Sequence, residues 1–452
     1  MIEMSLRVLR RYVRRVVSPI PDSYGPHFAK QYKFLQSSQW QPFTAIQDYQ
    51  SERLRDLIIH CYANVPYYRT LFDSHGLSPK DFQTAADLSK LPLLTKETIR
   101  ENAQALLARN VPLKEREYHT TGGTSGAPLG LWIEERSNAL RWAFDWRFHG
   151  WFGFRFNDRH AYLRGRSITK LPRGKCWYFD PYQNCLLFSS FDMSEANMGV
   201  YVRKIREFKP KVLFAYPSSA EVLARFMLDN GLVANDSGEL QAVVTASETL
   251  HAYQRSIITS AFKAPVFDMY GNTEQAARFG ECSAHQGHHD YAEYGITEII
   301  EPDVEGIGEV VATSFVNYAM PLLRYRIGDR ARRVKERCAC GRGLPLIDRL
   351  EGRVQDLAVL RDGTRLPIVA FFFSVHVPEM EQIRKLQLLQ DEPGCLQAVV
   401  VKGKDYQDGA CESMFRRMNE NLRVPLDIRI SFSEDIARTQ EGKHRFFVQK
   451  LA

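Results

Sequence analysis

The stretch from Lys211 to Leu228, KVLFAYPSSAEVLARFML, constrains the fold more than any other. An apolar run of strand length stops at Pro217, and the residues after it space their apolar members by three and four, the period of a helix face. A strand that feeds directly into a helix is the repeating unit of α/β folds. The same pattern recurs between about Ala143 and Val266 in HAYLRG, LQAVVTASETL and APVFDMYGNTE, where apolar runs close on Gly or Ser. Ligands of such folds sit at the carboxyl ends of the strands, so Tyr216 and Pro217 are placed to open towards a pocket.

The flanks read differently. Helical spacing runs from Ser51 to about Leu107 in ERLRDLIIHCYANV and LTKETIRENAQALL, with a helix start at Thr95. After Gly295, ITEIIEPD, GIGEVVATSF and PLLRYRIGDRARRV are short runs rich in strand formers and broken by Gly and Asp, which predicts a smaller β subdomain. The last hundred or so residues mix strand-like LQAVVVKG and LDIRISF with a helical ESMFRRMNENLR, the pattern of a small α+β domain. A chain of 452 residues with 44% hydrophobic residues has the material for more than one domain and a large core.

The 60 basic residues exceed the 53 acidic ones only mildly, and the net charge of +7 suits anionic small molecules as readily as nucleic acid. No nucleic-acid motif accompanies it, so no nucleic-acid partner is expected. Much of the excess lies in LRVLRRYVRRVVSPI, where Arg7, Arg10, Arg11, Arg14 and Arg15 alternate with Leu6, Val8, Leu9, Val13, Val16 and Val17. This basic amphipathic helix either touches an anionic membrane surface or a partner protein, or packs on its own domain with a solvated basic face. It is too short to span a bilayer and lacks the pattern of a cleaved signal, so a cytoplasmic location is expected.

Five motifs carry chemistry. In YHTTGGTSG (residues 118–126), Gly122, Gly123 and Gly126 let backbone amides approach an anion, while Thr121, Thr124 and Ser125 add hydroxyls. Alone it is either a flexible surface loop or a phosphate cradle, and it lacks the Lys-Ser/Thr ending of a Walker loop. FDMYGNTEQ offers Tyr270, Gly271, Asn272, Thr273 and Glu274: an aromatic face for a base, a hydroxyl for a phosphate and a carboxylate for Mg²⁺, or simply a strand-to-helix turn capped by Asn272 or Thr273. PLLRYRIGDRARR sets Asp329 after Gly328 at an expected strand end, suited to ribose hydroxyls. LEGRVQDLAVLRDGTRLP brings Gly352, Arg353 and Asp356, and ARTQEGKHRF brings Gly442 and Lys443.

This ordered set resembles the adenylate-forming enzymes, and within them the phenylacetate-CoA ligase-like branch that includes proteins linked to polysaccharide biosynthesis. The resemblance covers most of the chain, from VPYYRTLFDSHGL to the end, and YGNTE, RYRIGD and GRVQD carry it best. It implies an α/β chain with a large N-terminal adenylate-forming domain (1–355), a β subdomain within it, and a small mobile α+β C-terminal domain (356–452). It further implies that Thr121 to Gly126 hold the ATP phosphates, Tyr270 stacks on adenine, Glu274 binds Mg²⁺, Asp329 holds the ribose and Arg353 contacts the nucleotide. Ser247 and Glu248 of TASETL match the segment bordering the nucleotide, Asp356 the hinge, and Lys443 the catalytic lysine. Many relatives carry Lys in the phosphate loop where this chain has Ala127, and EGKHRFF is a loose form of the lysine motif.

Eight cysteines in so long a chain do not make a disulfide framework. ECSAHQGHHDYAEYG and ERCACGRGLP instead offer Cys282, His289, Cys338 and Cys340, a closed tetrahedral set for structural Zn²⁺. His285 or His288 are alternative ligands, two unrelated pairs of reduced cysteines the alternative reading; members of the resembled branch often carry a similar set. The aromatic stripe Trp142, Trp146, Phe148 and Trp151 is either core or a pocket wall, and as a wall it would select an aromatic or bulky acid. The resemblance implies a reaction in which a small-molecule carboxylic acid attacks the α-phosphate of Mg-ATP, after which CoA takes the acyl group. An amine, a hydroxyl or a carrier-protein thiol are alternative acceptors. A silent scaffold is the rival outside enzymology, against which the joint presence of Glu274, Asp329, Arg353 and Lys443 argues.

Overall fold

The computed structural model describes residues 24–120, 129–164, 175–190, 193–351, 357–368, 371–372, 379, 382–403, 406–436 and 446–451. These form two compact units, one drawing on the described residues of 24–120, 130–158 and 267–351, the other on Leu129 and the described residues of 159–266 and 357–451.

The first unit begins with helices α1 (Gly25–Ser38), α2 (Phe43–Asn64), α3 (Pro66–Ser74) and α4 (Lys96–Glu101). Helix α2 buries Leu54, Leu57, Ile58 and Cys61, an i, i+3, i+4, i+7 stripe. The Thr95 hydroxyl accepts from the Thr98 amide and starts α4 as the sequence predicts. The helix is shorter than its pattern, because Asn102 turns its amide back on the Thr98 carbonyl at 2.9 Å. A hairpin of β1 (Arg116–Thr120) and β2 (Gly130–Glu134) leads into α5 (Glu135–Gly150). There Phe148 is core, Trp146 stacks on Phe154 at 5.5 Å and Trp142 packs on Tyr24 at 5.5 Å, so the aromatic stripe packs onto its own unit. Helix α5 also buries Arg147, paired with Glu293 at 2.8 Å.

In the second unit, β3 (His160–Leu163), β4 (Trp177–Asp180), β5 (Cys185–Phe188), α6 (Glu195–Phe208), β6 (Val212–Ala215), α7 (Pro217–Asp229), β7 (Ala242–Ala246) and α8 (Ala252–Phe262) follow in order. Strand β3 runs parallel to both β5 and β6, β6 runs parallel to β7, and β4 pairs antiparallel with β5. One face, with Ala161, Leu163, Leu213, Ala215 and Val243, packs on Tyr201, Ile205, Leu223, Met227, Ile258 and Phe262 of the three helices. Pro217 enters α7 in its first turn, where its missing N–H costs nothing. The strand-then-helix reading of 211–228 is therefore what the chain does.

The first unit resumes with β8 (Val266–Gly271), β9 (Arg278–Glu281), β10 (His288–Asp290), β11 (Gly295–Ile300), β12 (Gly308–Ser314), β13 (Tyr325–Val334) and β14 (Leu346–Glu351). Their order is β11-β12-β13-β14-β10-β9-β8, antiparallel throughout. The β subdomain thus starts before Gly295. YGNTE joins two antiparallel strands, with Tyr270 opposite Phe279, and the strand-to-helix turn is corrected to strand-turn-strand. The Asn272 side chain accepts from the Ala276 amide at 2.8 Å and its carbonyl from Gln275 at 3.2 Å, which closes the turn before a helix can start.

In the C-terminal part, β15 (Leu357–Val359) pairs with β16 (Arg365–Pro367). Beyond them, β17 (Ile383–Gln390), β18 (Cys395–Lys402), α9 (Ala410–Glu420), β19 (Asp427–Phe432) and β20 (Phe447–Gln449) give the sheet order β19-β18-β17-β20. Helix α9 buries Cys411, Met414, Phe415 and Met418 against that sheet in a core of its own. The α+β reading of this portion holds. The boundary expected at 355/356 and the basic segment from Leu6 to Val17 lie outside the described residues. No described helix is long and apolar enough to cross a membrane.

Candidate functional site

Asp329 does not end a strand, as its motif suggested; it lies within β13 at a break in register. Arg330 faces Glu309 but Arg326 faces Val311, so Ile327, Gly328 and Asp329 bulge away from the ladder. Gly328 makes this feasible with φ +91°, a conformation costly for any residue with a Cβ. The Tyr270 hydroxyl donates to Asp329 Oδ2 at 2.7 Å, and the Tyr270 ring stacks on Phe279 at 4.8 Å. Two motifs 59 residues apart thus share one hydrogen bond.

Glu274 is buried, and its Oε1 accepts from the buried Tyr325 hydroxyl at 2.9 Å. Tyr325 is held in turn by backbone bonds on either side of it, Leu94 N to Arg324 O and Arg326 N to Leu94 O, both 3.0 Å. A carboxylate oriented by a single hydroxyl keeps acceptor capacity for a cation. Tyr270 and Gly271 end β8, and Asn272, Thr273 and Glu274 lie in the turn that follows.

Ser247 and Glu248 belong to the second unit, just past β7. Ser247 takes φ +72°, and Glu248 reaches the first turn of α7, accepting from Ser218 N (2.9 Å) and Ser218 Oγ (2.9 Å). The carboxylate caps the helix at its positive end. Burial pushes Glu248 up to about 7, against the downward pull of the two Ser218 bonds, and nearby Glu221 adds to the rise. A carboxyl raised above its unfolded value binds its proton more tightly in the folded chain. Its contribution to stability is therefore present below about pH 4.5 and lost as pH rises towards 7. We expect wild type to lose on the order of 1–2 kcal/mol relative to Glu248→Gln between pH 5 and 8, discounted for the partial exposure of the side chain. Denaturant titrations of both chains at the two pH values check this; parallel curves would refute it.

The four metal-ligand candidates come together within the first unit. Cys282 Sγ, His289 Nε2 or Nδ1, Cys338 Sγ and Cys340 Sγ all lie within 4.8 Å of one another. Cys282 and Cys338 sulfurs are 3.5 Å apart, and Cys340 Sγ is 3.3 Å from His289 Nε2. Thiolates around one zinc are separated by about 3.8 Å, so the donor set fits that ion and leaves no coordination position open. His288 is instead paired with Asp268 at 3.0 Å, and His285 lies beside Glu281 and Phe267. Burial raises Cys282 to about 12 and lowers His289 to about 4. Burial would also raise Cys340, but hydrogen bonds from Arg342 outweigh it and bring that thiol down.

The loop that carries these cysteines also grips the turn after α1. Gln39 Oε1 accepts from Trp151 Nε1 at 2.8 Å and Arg342 Nε at 3.1 Å, and Gly343 N bonds Gln39 O at 2.9 Å. The Arg342 guanidinium lies 4.7 Å from the Trp40 ring and 4.5 Å from the Trp151 ring. Thr121, Gly122, Gly123, Thr124, Ser125, Gly126, Arg353, Asp356 and Lys443 lie outside the described residues. Sequence reasoning missed Tyr325, Ser218, Gln39 and Arg342. Tyr325 stood inside RYRIGD and Ser218 beside the helix-starting Pro217, but Gln39 carried no local signal.

Residues 362–450 match the family described as the CapK C-terminal domain. Over 441 residues the chain is 23% identical to Protein CapK of Staphylococcus aureus, covering 95% of this chain and 93% of that one. It is 26% identical over 407 residues to phenylacetate-coenzyme A ligase of Thermus thermophilus, covering 84% and 85%. Among solved structures, 2-hydroxyisobutyryl-CoA ligase in complex with 2-HIB-AMP and CoA superposes with a TM-score of 0.58 at 18% identity, over 92% of this chain and 91% of that one. That likeness shows the fold: an α/β chain with a large N-terminal and a small C-terminal domain.

Proposed function

This chain is similar along most of its length to the adenylate-forming proteins of the phenylacetate-CoA ligase-like branch, and from that premise we propose that it is an AMP-forming ligase. A carboxylate oxygen of the substrate attacks the α-phosphorus of Mg-ATP, the bond to the β-phosphate breaks, and pyrophosphate leaves. The sulfur of CoA then attacks the acyl carbon, the bond from that carbon to the phosphate oxygen breaks, AMP leaves, and the thiol gives up its proton. The observation that supports this reading best is the hydrogen bond joining Tyr270 to Asp329, since it brings the expected adenine and ribose contacts to one place. Glu274, oriented by Tyr325, is the carboxylate for Mg²⁺.

In this reading Thr121 to Gly126 hold the phosphates, Ser247, Glu248 and Arg353 border the nucleotide, and Lys443 stabilises the charge that develops at the α-phosphate. The domain boundary falls at 355/356, with Asp356 as hinge. Cys282, His289, Cys338 and Cys340 would hold Zn²⁺, which supplies cohesion to the fold and no chemistry. ATP and CoA are cytoplasmic metabolites, which supports a cytoplasmic site of action.

Pyrophosphate release from Mg-ATP across aryl, fatty, hydroxylated and amino acids, with and without CoA, tests the reading. Acid-dependent release that proceeds to a thioester only with CoA supports it. Release indifferent to CoA moves the acceptor to an amine or hydroxyl, and no release with any acid leaves the scaffold. Within an active enzyme, Tyr270→Phe should raise KM for ATP about tenfold with a smaller change in kcat, the effect of losing one charge-assisted hydrogen bond. An unchanged KM would take Tyr270 and Asp329 out of the nucleotide site.

A further inference from the structure

Gln275 follows Glu274 directly, and its amide closes the turn between β8 and β9 on the Asn272 carbonyl at 3.2 Å. Its backbone takes φ +53°. A residue with a Cβ is costly in that left-handed region and stays there only where its surroundings hold it. Here the holding groups come from the first turns of α5, within the same unit. Gln275 Oε1 accepts from the buried Ser137 Oγ at 2.7 Å, and Gln275 Nε2 donates to Asn138 Oδ1 at 3.1 Å. The direction of both bonds is set from outside. Asn138 Nδ2 donates to Glu117 Oε2 of β1 at 3.0 Å, and a carboxylate ion only accepts. Asn138 therefore turns its amide oxygen to Gln275, which answers with its NH₂ group and leaves its own oxygen for the Ser137 hydroxyl. No other orientation of the two amides makes all three bonds.

Glu274 is thereby fixed from two sides: its own carboxylate accepts from Tyr325 of β13, and the residue after it is clamped to α5. The Tyr325 hydroxyl sets where one carboxylate oxygen sits. The clamp sets the backbone from which the side chain starts. A ligand to a cation needs both, because the groups behind a ligand orient it and so decide how well it holds the ion. Resting on the ligase reading above, in which Glu274 is the carboxylate for Mg²⁺, we infer that Gln275 is a positioning residue for that ion, acting through Glu274 by its bonds to Ser137 and Asn138.

Calorimetric binding of α,β-methylene-ATP, which cannot release pyrophosphate, tests this when run with Mg²⁺ and again with EDTA: the ratio of the two affinities is what the ion adds. Gln275→Gly keeps the left-handed backbone at no steric cost but deletes the clamp, and should cut that ratio about tenfold. Ser137→Ala removes one of the two bonds and should cut it about threefold, and it carries the test alone if the glycine variant does not fold. Affinity in EDTA should hardly change in either. In a Glu274→Gln background, Gln275→Gly should bring no further loss, since nothing is left for it to position. A wild-type ratio in both variants overturns the inference and makes the clamp a support of the turn alone. An equal further loss in the Glu274→Gln background also overturns it. If Glu274→Gln itself keeps the wild-type ratio, the Mg²⁺ role of Glu274 falls and this inference with it, while the ligase reading stands on nucleotide binding. A wild-type chain that binds no nucleotide overturns the ligase reading as well.

Discussion

Replacing Lys443 by alanine should lower acid-dependent pyrophosphate release by about a hundred- to a thousandfold, almost entirely in kcat. The reaction moves negative charge onto the bridging oxygen as the α-phosphorus passes through five-coordination, and a cation aimed at that charge acts only in the transition state. Loss of such a contact leaves ground-state binding nearly intact, so KM for ATP should shift little. Transfer from a supplied acyl-adenylate to CoA breaks no bond to pyrophosphate and should survive the substitution. Single-turnover measurement of the two half-reactions separates these outcomes. Equal losses in both would make Lys443 a residue of the fold, and no loss in either would remove it from the mechanism.

The second large effect concerns the Cys/His cluster and the zinc proposed for it. Cys338→Ser should abolish stoichiometric zinc and lower the melting temperature by about 10 °C or more, because the free energy of binding a structural zinc is folding free energy. Cys282, Cys338 and Leu346 pack as a small core of their own, which a zinc held by the cluster would stabilise more than three neutral thiols and a ring. Gly343→Ala separates the metal from the grip on Gln39. A Cβ there would clash with the Gln41 carbonyl, so the variant should be destabilised while retaining one zinc per chain. Metal analysis alongside thermal unfolding reads both. A Cys338→Ser chain that keeps wild-type stability and binds no zinc would make the cluster two pairs of reduced cysteines.

Much of the architecture was legible because it is written locally. The strand-to-helix step at Pro217, the cap at Thr95 and the C-terminal mixture of strands with an amphipathic helix each depend on residues a few positions apart. The YGNTE turn was misread because strand-turn-strand and strand-turn-helix begin alike, and the decision rests on one bond from the Ala276 amide to Asn272. Asp329 was misplaced because the bulge around Gly328 exists only in the pairing of β12 with β13.

By itself, then, the sequence determined the fold class, the residue types available for chemistry and their order along the chain, since periodicity and turn chemistry act over a few residues. Only the tertiary structure decided their partners. Tyr270 meets Asp329, Glu274 meets Tyr325 and Glu248 meets the start of α7 because strands and helices distant in the chain pack side by side. The same holds for the choice of His289 over its neighbours, since His288 turns to Asp268 while alternate residues of a strand face opposite sides of the sheet.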